Sequence, residues 1–129
     1  MKTASLHPKN NQPITIIKSQ SIRYPRPEEI VYLQSDDCYT YVHLADASTF
    51  LLSKTLKSVE QELDPDFFFR CHRSFLINRV FVTEISRKNG DHLIMKTGVH
   101  VPISRRKLSE LKSFLKQTAT ANLINDTVY

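Results

Sequence analysis

Two short basic motifs contain the side chains best suited to bind an anion. The first is Phe69-Arg70-Cys71-His72-Arg73-Ser74, and the second is Ile103-Ser104-Arg105-Arg106. Arginine donates two parallel hydrogen bonds, so it fits both a phosphate group and the edge of guanine. In the first motif, Arg73 is the better contact candidate because it would lie where a strand leaves for a loop. Arg70 could instead form a structural ion pair, and His72 is expected to be a hydrogen-bonded core histidine.

The second motif concentrates positive charge at the start of the last predicted helix. Ser104 is the predicted N-cap, and it is followed at once by Arg105, Arg106 and Lys107. Cations are unfavourable there because the N-terminus of a helix carries partial positive charge. The same position combines free backbone N–H groups with cationic side chains, which is how an anion site is built. A solvent-screened helix end is the alternative interpretation.

The charge of the chain is unevenly distributed along the sequence. The formal net charge is +5, yet residues 28–66 contain nine acidic residues and only two lysines. Residues 70–88 contain five bases and one acid, and residues 103–116 contain five bases and one acid. Such a distribution can place one basic face against an anionic partner, although a solvated surface of uneven charge would give the same pattern.

Several classes of function are excluded by missing signatures. With only two glycines, the chain has neither G-x-G-x-x-G nor a P-loop, and it also lacks H-E-x-x-H and G-x-S-x-G. We therefore expect no enzyme activity, no cofactor and no metal site. No apolar run is long enough to span a membrane and no signal peptide is present, so we expect a cytoplasmic protein. Cys38 and Cys71 suit a reducing compartment, and a regulatory disulfide between them remains an alternative.

The elements that must position the basic motifs are mostly strands. Apolar and polar residues alternate with period two in much of the chain, as at Tyr39–Leu44, and Asn89-Gly90 predicts a hairpin turn. Strands are predicted at 14–17, 30–33, 39–44, 50–52, 67–70, 75–77, 81–85, 92–96 and 99–103. Two short helices are predicted, one over 55–63 and one from Ser104 to beyond Leu115. The sequence thus predicts a mainly β domain over residues 14–117, between a flexible leader (1–13) and a flexible tail (118–129).

Five segments in this order resemble the LytTR family of bacterial DNA-binding domains. The resemblance covers most of the chain, from about Ile14 to Leu115. The matching segments are Glu29-Ile30-Val31-Tyr32-Leu33, Tyr39-Thr40-Tyr41-Val42, Thr55-Leu56-Lys57-Ser58-Val59-Glu60, Phe69-Arg70-Cys71-His72-Arg73-Ser74-Phe75-Leu76-Ile77-Asn78 and Val101-Pro102-Ile103-Ser104-Arg105.

The resemblance implies a fold and a mode of binding. The fold would be an elongated arrangement of about ten short strands with two short helices. Loops would enter successive major grooves of double-stranded promoter DNA at paired direct repeats. The implied base contacts are Thr40, Arg73 and Arg105. We further predict backbone contacts from Tyr39, Lys54, Ser74, Ser104, Arg106 and Lys107.

The chain departs from the family pattern in its first loop and at its N-terminus. Many members have a small polar pair such as Gly-Asn before the tyrosine, whereas this chain has Asp37-Cys38. The carboxylates of Asp36 and Asp37 would repel phosphate, or they could accept a hydrogen bond from the amino group of cytosine. About 13 residues precede the first predicted strand, too few for the receiver domain usual in the family. We therefore expect a stand-alone regulator, or one domain of a longer protein.

The expected partners follow from the same resemblance. Besides DNA, they are a second copy of the chain on DNA and a separate signalling protein. An RNA-binding or protein-interaction β module is the alternative function. Exposed aromatic stripes with intervening basic residues would favour RNA, but the run Phe67-Phe68-Phe69 is expected in the core.

Overall fold

The chain folds as a mainly β structure, which confirms the predicted fold class. The structure is a computed structural model that describes residues 16–18, 21–23 and 26–121, with side chains from 26 to 117. The described residues form ten strands and two α-helices, with short 3₁₀ turns between some of them. The predicted leader lies outside the described residues, as do the first two residues of the predicted strand 14–17. The last helix continues to Ala121, and residues 122–129 also lie outside the described range.

All strand pairs are antiparallel, and they form three sheets. The order is β5-β4-β3-β7-β6 in the largest sheet and β10-β9-β8 in the second, while β1 and β2 pair as a hairpin. The elements are β1 (Ile16–Lys18), β2 (Ser21–Arg23), β3 (Ile30–Asp36), β4 (Tyr39–Leu44), β5 (Thr49–Leu52), α1 (Leu56–Glu60), β6 (Phe68–His72), β7 (Phe75–Asn78), β8 (Val82–Ser86), β9 (His92–Met95), β10 (His100–Pro102) and α2 (Leu108–Ala121).

The residues of the five-stranded sheet contribute to two separate hydrophobic cores. One core joins Leu33 and Val42 to apolar residues of α1. The other joins Val31 and Ile77 to the three-stranded sheet and to Leu111 of α2. Val31 and Leu33 differ by two positions yet belong to different cores, because the pairing of β3 with β4 has a bulge between Ile30 and Tyr32. Full burial of each such side chain stabilises the fold by about 1.5–3 kcal/mol.

The first helix is shorter than predicted. Thr55 is its N-cap, with the side-chain oxygen accepting from the Ser58 N–H, and the helix ends at Glu60 rather than near Leu63. After Glu60 the chain tightens, since the N–H of Leu63 donates to the carbonyl of Glu60, only three residues away. The predicted apolar stripe is nevertheless correct, because Leu56, Val59 and Leu63 are all buried.

Two turn signals in the second half of the chain are confirmed. Asn89 and Gly90 both have positive φ (57° and 96°) in the loop between β8 and β9, a conformation that asparagine and glycine adopt at low cost. Pro102 ends β10, which is an edge strand, so the missing proline N–H interrupts no interior ladder.

Candidate nucleic-acid interface

Four segments that are distant in sequence meet at one end of the five-stranded sheet. The N–H of Ser35 donates to the carbonyl of Ser74 (2.9 Å), which joins the end of β3 to the β6–β7 turn. The N–H of Ser104 donates to the carbonyl of Cys71 (2.8 Å), which joins the segment that leads into α2 to the last residues of β6. The hydroxyl of Thr40 donates to the carbonyl of Lys54 (2.8 Å). We call this end, formed by residues 36–40, 53–55, 72–74 and 103–107, the basic end.

The turn that presents Arg73 is held in place by Arg70. The guanidinium of Arg70 donates through Nε to the carbonyl of His72 (3.2 Å) and through Nη2 to the carbonyl of Arg73 (2.6 Å). Its Nη1 donates to Oε1 of Glu60 at 2.8 Å, so the ion-pair interpretation of Arg70 is confirmed. All three guanidinium nitrogens of Arg70 therefore form hydrogen bonds within the protein, whereas the side chain of Arg73 is exposed at the tip of the turn.

His72 is hydrogen-bonded as predicted, but it is only half-buried. Its Nδ1 accepts from the N–H of Ser74 at 3.1 Å, and its ring meets Phe75 edge-on with centroids 5.7 Å apart. This bond requires an unprotonated Nδ1, so the proton of the neutral ring is on Nε2. The imidazole thus supports the turn from within the β6–β7 hairpin.

The second motif forms a 3₁₀ turn before α2 begins. Ser104 occupies the predicted N-cap position, but its side chain makes no capping hydrogen bond. Lys107 is partly neutralised, with Nζ 3.4 Å from Oε1 of Glu110 and 5.6 Å from the centroid of the Phe69 ring. Arg105 and Arg106 are exposed, and among the described side chains neither forms an ion pair.

Arg73 shares a cleft with Arg106, and Arg105 lies elsewhere. The cleft has a volume of about 290 Å³ and runs between the β6–β7 turn and the start of α2, with His72 and Ser104 between the two arginines. Arg105 lines a separate depression on the outer face of α2 together with Lys112 and Lys116. The sequence grouped Arg73 with Arg105 as base contacts, but the structure brings Arg106 to Arg73 because the 3₁₀ turn directs consecutive side chains to different surfaces.

The remaining predicted contact residues differ in accessibility. Thr40 is 0% exposed and its hydroxyl is used by the Lys54 carbonyl, so its burial does not fit the predicted base contact. Tyr39, its neighbour in β4, is 42% exposed. The ammonium of Lys54 is 2.8 Å from a carboxylate oxygen of Glu62. Of this group, Tyr39 is the side chain best placed to meet a ligand directly.

Asp37 lies in the β3–β4 turn and has an unusual backbone conformation. Asp37 has φ of 61°, a left-handed conformation that glycine and asparagine adopt more readily than most residues. A glycine at this position would fit the same turn without a charge. Asp37 therefore adds an exposed carboxylate to the basic end that the turn geometry does not require.

The two cysteines are not joined by a disulfide. Both are free, and Cys38 is exposed while Cys71 is fully buried. The Sγ of Cys71 lies 3.5 Å from the carbonyl oxygen of Pro102. Burial raises the pKa of the Cys71 thiol to about 12, so the reactive thiolate is scarce at neutral pH. The contacts of Cys71 instead connect β6 with the end of β10.

Negative charge collects at the opposite end of the five-stranded sheet. Hydrogen bonds from the N–H of Ala45 to the Glu29 carbonyl and from the Asn78 amide to the Ile30 carbonyl define that end. The acidic residues on the segments there are Glu28, Glu29, Asp46, Asp64 and Asp66. The acidic residues of the sequence thus gather at one end of the sheet, where Arg26 and Arg79 also lie, while Arg73, Arg105 and Arg106 lie at the basic end.

Other predicted features can be located on the same structure. Phe67 is 39% exposed, and the guanidinium of Arg79 lies 4.5 Å from the centroid of its ring, so the prediction that Phe67 lies in the core is wrong. Phe68 is buried, and Phe69 stacks on Phe114.

Within the described part of the chain, no group of three or more His, Cys, Asp or Glu side chains could hold a metal ion. None of the helices described is both long and apolar enough to cross a membrane.

Comparison with known proteins identifies the family. Residues 20–116 match the model of the LytTr DNA-binding domain. The sensory transduction protein LytT of Bacillus subtilis is 35% identical over 98 residues, which are 74% of this chain and 40% of that protein. The CO-responsive transcriptional regulator RcoM of Rhodospirillum rubrum is 36% identical over 89 residues, 67% of this chain and 37% of that protein.

A solved structure agrees with the sequence matches. It is the LytTr DNA-binding domain of a putative methyl-accepting/DNA response regulator from Bacillus cereus, with a TM-score of 0.72 and 27% identity over 81% of this chain and 96% of that one. The chain spans less than half the length of the curated relatives named above. From the family match, the sequence similarity and the shared fold, we conclude that the chain belongs to the LytTR family of DNA-binding domains found in transcriptional regulators.

Proposed function

We propose that the chain binds double-stranded DNA sequence-specifically, with the basic end of the five-stranded sheet in the major groove. The observation that carries this proposal is the cleft shared by Arg73 and Arg106, two exposed arginines from motifs that are about 30 residues apart in sequence. Two guanidinium forks that share one cleft suit the O6 and N7 acceptors of guanine. Neither arginine is paired with a described carboxylate, so binding DNA breaks no ion pair of theirs.

The side chains at this end divide into three roles. Arg73 and Arg106 are the proposed base contacts. Tyr39, Ser74, Ser104 and Lys107 are proposed to contact the phosphate backbone, because they belong to the basic end and are at least partly accessible. Thr40 and Lys54 are proposed to position the β3–β4 turn through their mutual hydrogen bond, while the Lys54 ammonium remains near Glu62.

The wider setting is proposed on the family resemblance. We infer that the chain acts in the cytoplasm, at paired direct repeats in promoters, with two copies bound side by side on DNA. A signal would reach it from another protein or from another part of a longer chain. Repeats recognised from the same face of the duplex are separated by about 10–10.5 base pairs.

Selection of bound sequences from a random duplex pool tests the proposal most directly. We expect enrichment of a short G-containing motif, repeated in the same orientation at about one helical turn. A parallel selection from a random single-stranded RNA pool is the control. Failure to enrich any duplex motif would contradict sequence-specific DNA binding, and enrichment in the RNA pool alone would favour the RNA-binding alternative.

Replacing Asp37 by asparagine is expected to tighten DNA binding by about twofold to fivefold at low salt. The change removes one carboxylate from the basic end, and a unit charge near a phosphate in water amounts to about 1 kcal/mol or less. Asparagine tolerates the positive φ of this turn, so the backbone should not change. Affinity would be measured by fluorescence anisotropy between 50 and 300 mM salt.

The control for this variant is Glu28→Gln, which removes an exposed carboxylate beside the opposite end of the sheet. Its effect on affinity should be much smaller. A loss of affinity in Asp37→Asn, with a changed preference at a cytosine, would show that the carboxylate reads a base and would refute the repulsion argument.

A further inference from the structure

The outer face of α2 bears a row of cations that the base-reading cleft does not use. Arg105, Lys112 and Lys116 line one shallow depression, with Ser109 and Ser113 between them. Lys112 is seven positions after Arg105 and Lys116 is four positions after Lys112, so the three cations lie along one side of the helix. We call this row the α2 cationic face.

Glu84 of β8 lines a neighbouring pocket with Lys112 and Lys116, but among the described residues it forms no ion pair with either lysine. The one carboxylate in the first turns of α2, that of Glu110, lies 3.4 Å from Lys107 and outside the depression. Lys112 and Lys116 are exposed, and among the described residues neither forms an ion pair. Eleven residues separate Arg105 from Lys116, which is about 16 Å along a helix. That distance equals the rise of about five base pairs of DNA.

We propose that the α2 cationic face binds the phosphate backbone of DNA that flanks the bases read by Arg73 and Arg106. This inference rests on the proposed function, since it extends the same duplex across a second surface. Arg105 is the link between the two surfaces, because it directly precedes Arg106 of the cleft. The proposal changes the role of Arg105 from a base contact to a backbone contact.

The chemistry of the face fits a phosphate backbone better than an acidic protein. A stable protein interface has an apolar centre, whereas cations and serines line most of this depression and its one apolar residue, Leu108, is partly buried. The apolar side chains Ile85 and Leu115 line a neighbouring pocket that shares Lys112 and Lys116. Serine hydroxyls between lysines and arginines are common donors to phosphate oxygens. The short serine side chains also let a sugar-phosphate strand approach the helix closely.

The test compares a double variant of the α2 cationic face with a variant of equal net charge elsewhere. Lys112→Gln with Lys116→Gln lowers the net charge by two, and so does Lys96→Glu in the exposed β9–β10 turn. With the selected duplex, the double variant should reduce the slope of log K against log salt by about 1.8, and affinity at 0.1 M salt should fall by up to about 60-fold. The preference for the selected site over a scrambled site should not change. Lys96→Glu should leave the slope nearly as in the wild type.

A second measurement varies the DNA instead of the protein. Shortening the duplex by about five base pairs on the flank should weaken wild-type binding but barely affect the double variant. A slope unchanged from that of Lys96→Glu, or equal sensitivity of both proteins to flank length, would overturn the proposal and leave this face to an acidic protein or to solvent. Wild-type protein that binds no duplex at all would instead refute the proposed function, so the two failures are distinguishable.

Discussion

Replacing Arg73 by alanine should weaken binding to the selected duplex by about 1–3 kcal/mol, or roughly 5-fold to 150-fold. Arg73 is exposed at the tip of the β6–β7 turn and shares a cleft with Arg106. The loss should be concentrated at one base pair, because a guanidinium fork that binds guanine loses both of its hydrogen bonds at once. Affinity for scrambled DNA should change much less.

The measurement is a binding isotherm for each single-base variant of the selected site, with wild-type and Arg73→Ala protein. Arg26→Ala is the matched control, since Arg26 is exposed near the acidic end of the sheet. An equal loss on specific and scrambled duplexes would refute the base-reading role and leave Arg73 as a backbone contact.

The same experiment can measure whether Arg73 and Arg106 contribute to DNA binding independently of each other. If both arginines bind the same major groove, the double variant Arg73→Ala with Arg106→Ala should lose less affinity than the sum of the single losses. Arg105→Ala should instead weaken all duplexes alike. Relaxed specificity in Arg105→Ala, with none in Arg106→Ala, would restore the grouping predicted from sequence.

The strands could be predicted because their burial follows a local pattern. Tyr39–Leu44 is a strand with the predicted bounds, and its residues alternate between the protein core and a more accessible face. That local pattern does not show which segments meet at the same end of the sheet. It depends on hydrogen bonds between distant positions, such as that from the Ser104 N–H to the Cys71 carbonyl.

The choice of contact residues within the predicted site meets the same limit. Thr40 and Tyr39 are adjacent, and only the sheet determines which of them faces the core. Arg105 and Arg106 are equally suitable by residue type, and only the 3₁₀ turn separates them. Residue type thus pointed to segments of the basic end, whereas the accessibility of each side chain there depends on tertiary structure.

Arg70 should be as important for recognition as the residues that touch DNA, although it is proposed to touch none. Its guanidinium bonds the carbonyls of His72 and Arg73 and the carboxylate of Glu60 simultaneously. Lysine at this position keeps the charge but has no planar fork, so it cannot maintain all three contacts. In Arg70→Lys we expect the preference for specific over scrambled DNA to fall about tenfold or more, because the Arg73 turn is no longer held before binding.

The effect on stability should be smaller and separable. Arg70 is a partly exposed positioning residue, so the loss of its contacts should lower the free energy of unfolding by about 1–2 kcal/mol. Glu60→Gln removes only the ion pair and leaves both carbonyl contacts possible, so it should retain most of the specificity. Amide hydrogen exchange of residues 72–74 should accelerate in Arg70→Lys but not in Glu60→Gln. If Arg70→Lys kept its specificity, or lost affinity equally for all duplexes, the guanidinium would be a structural contact without a role in presenting Arg73.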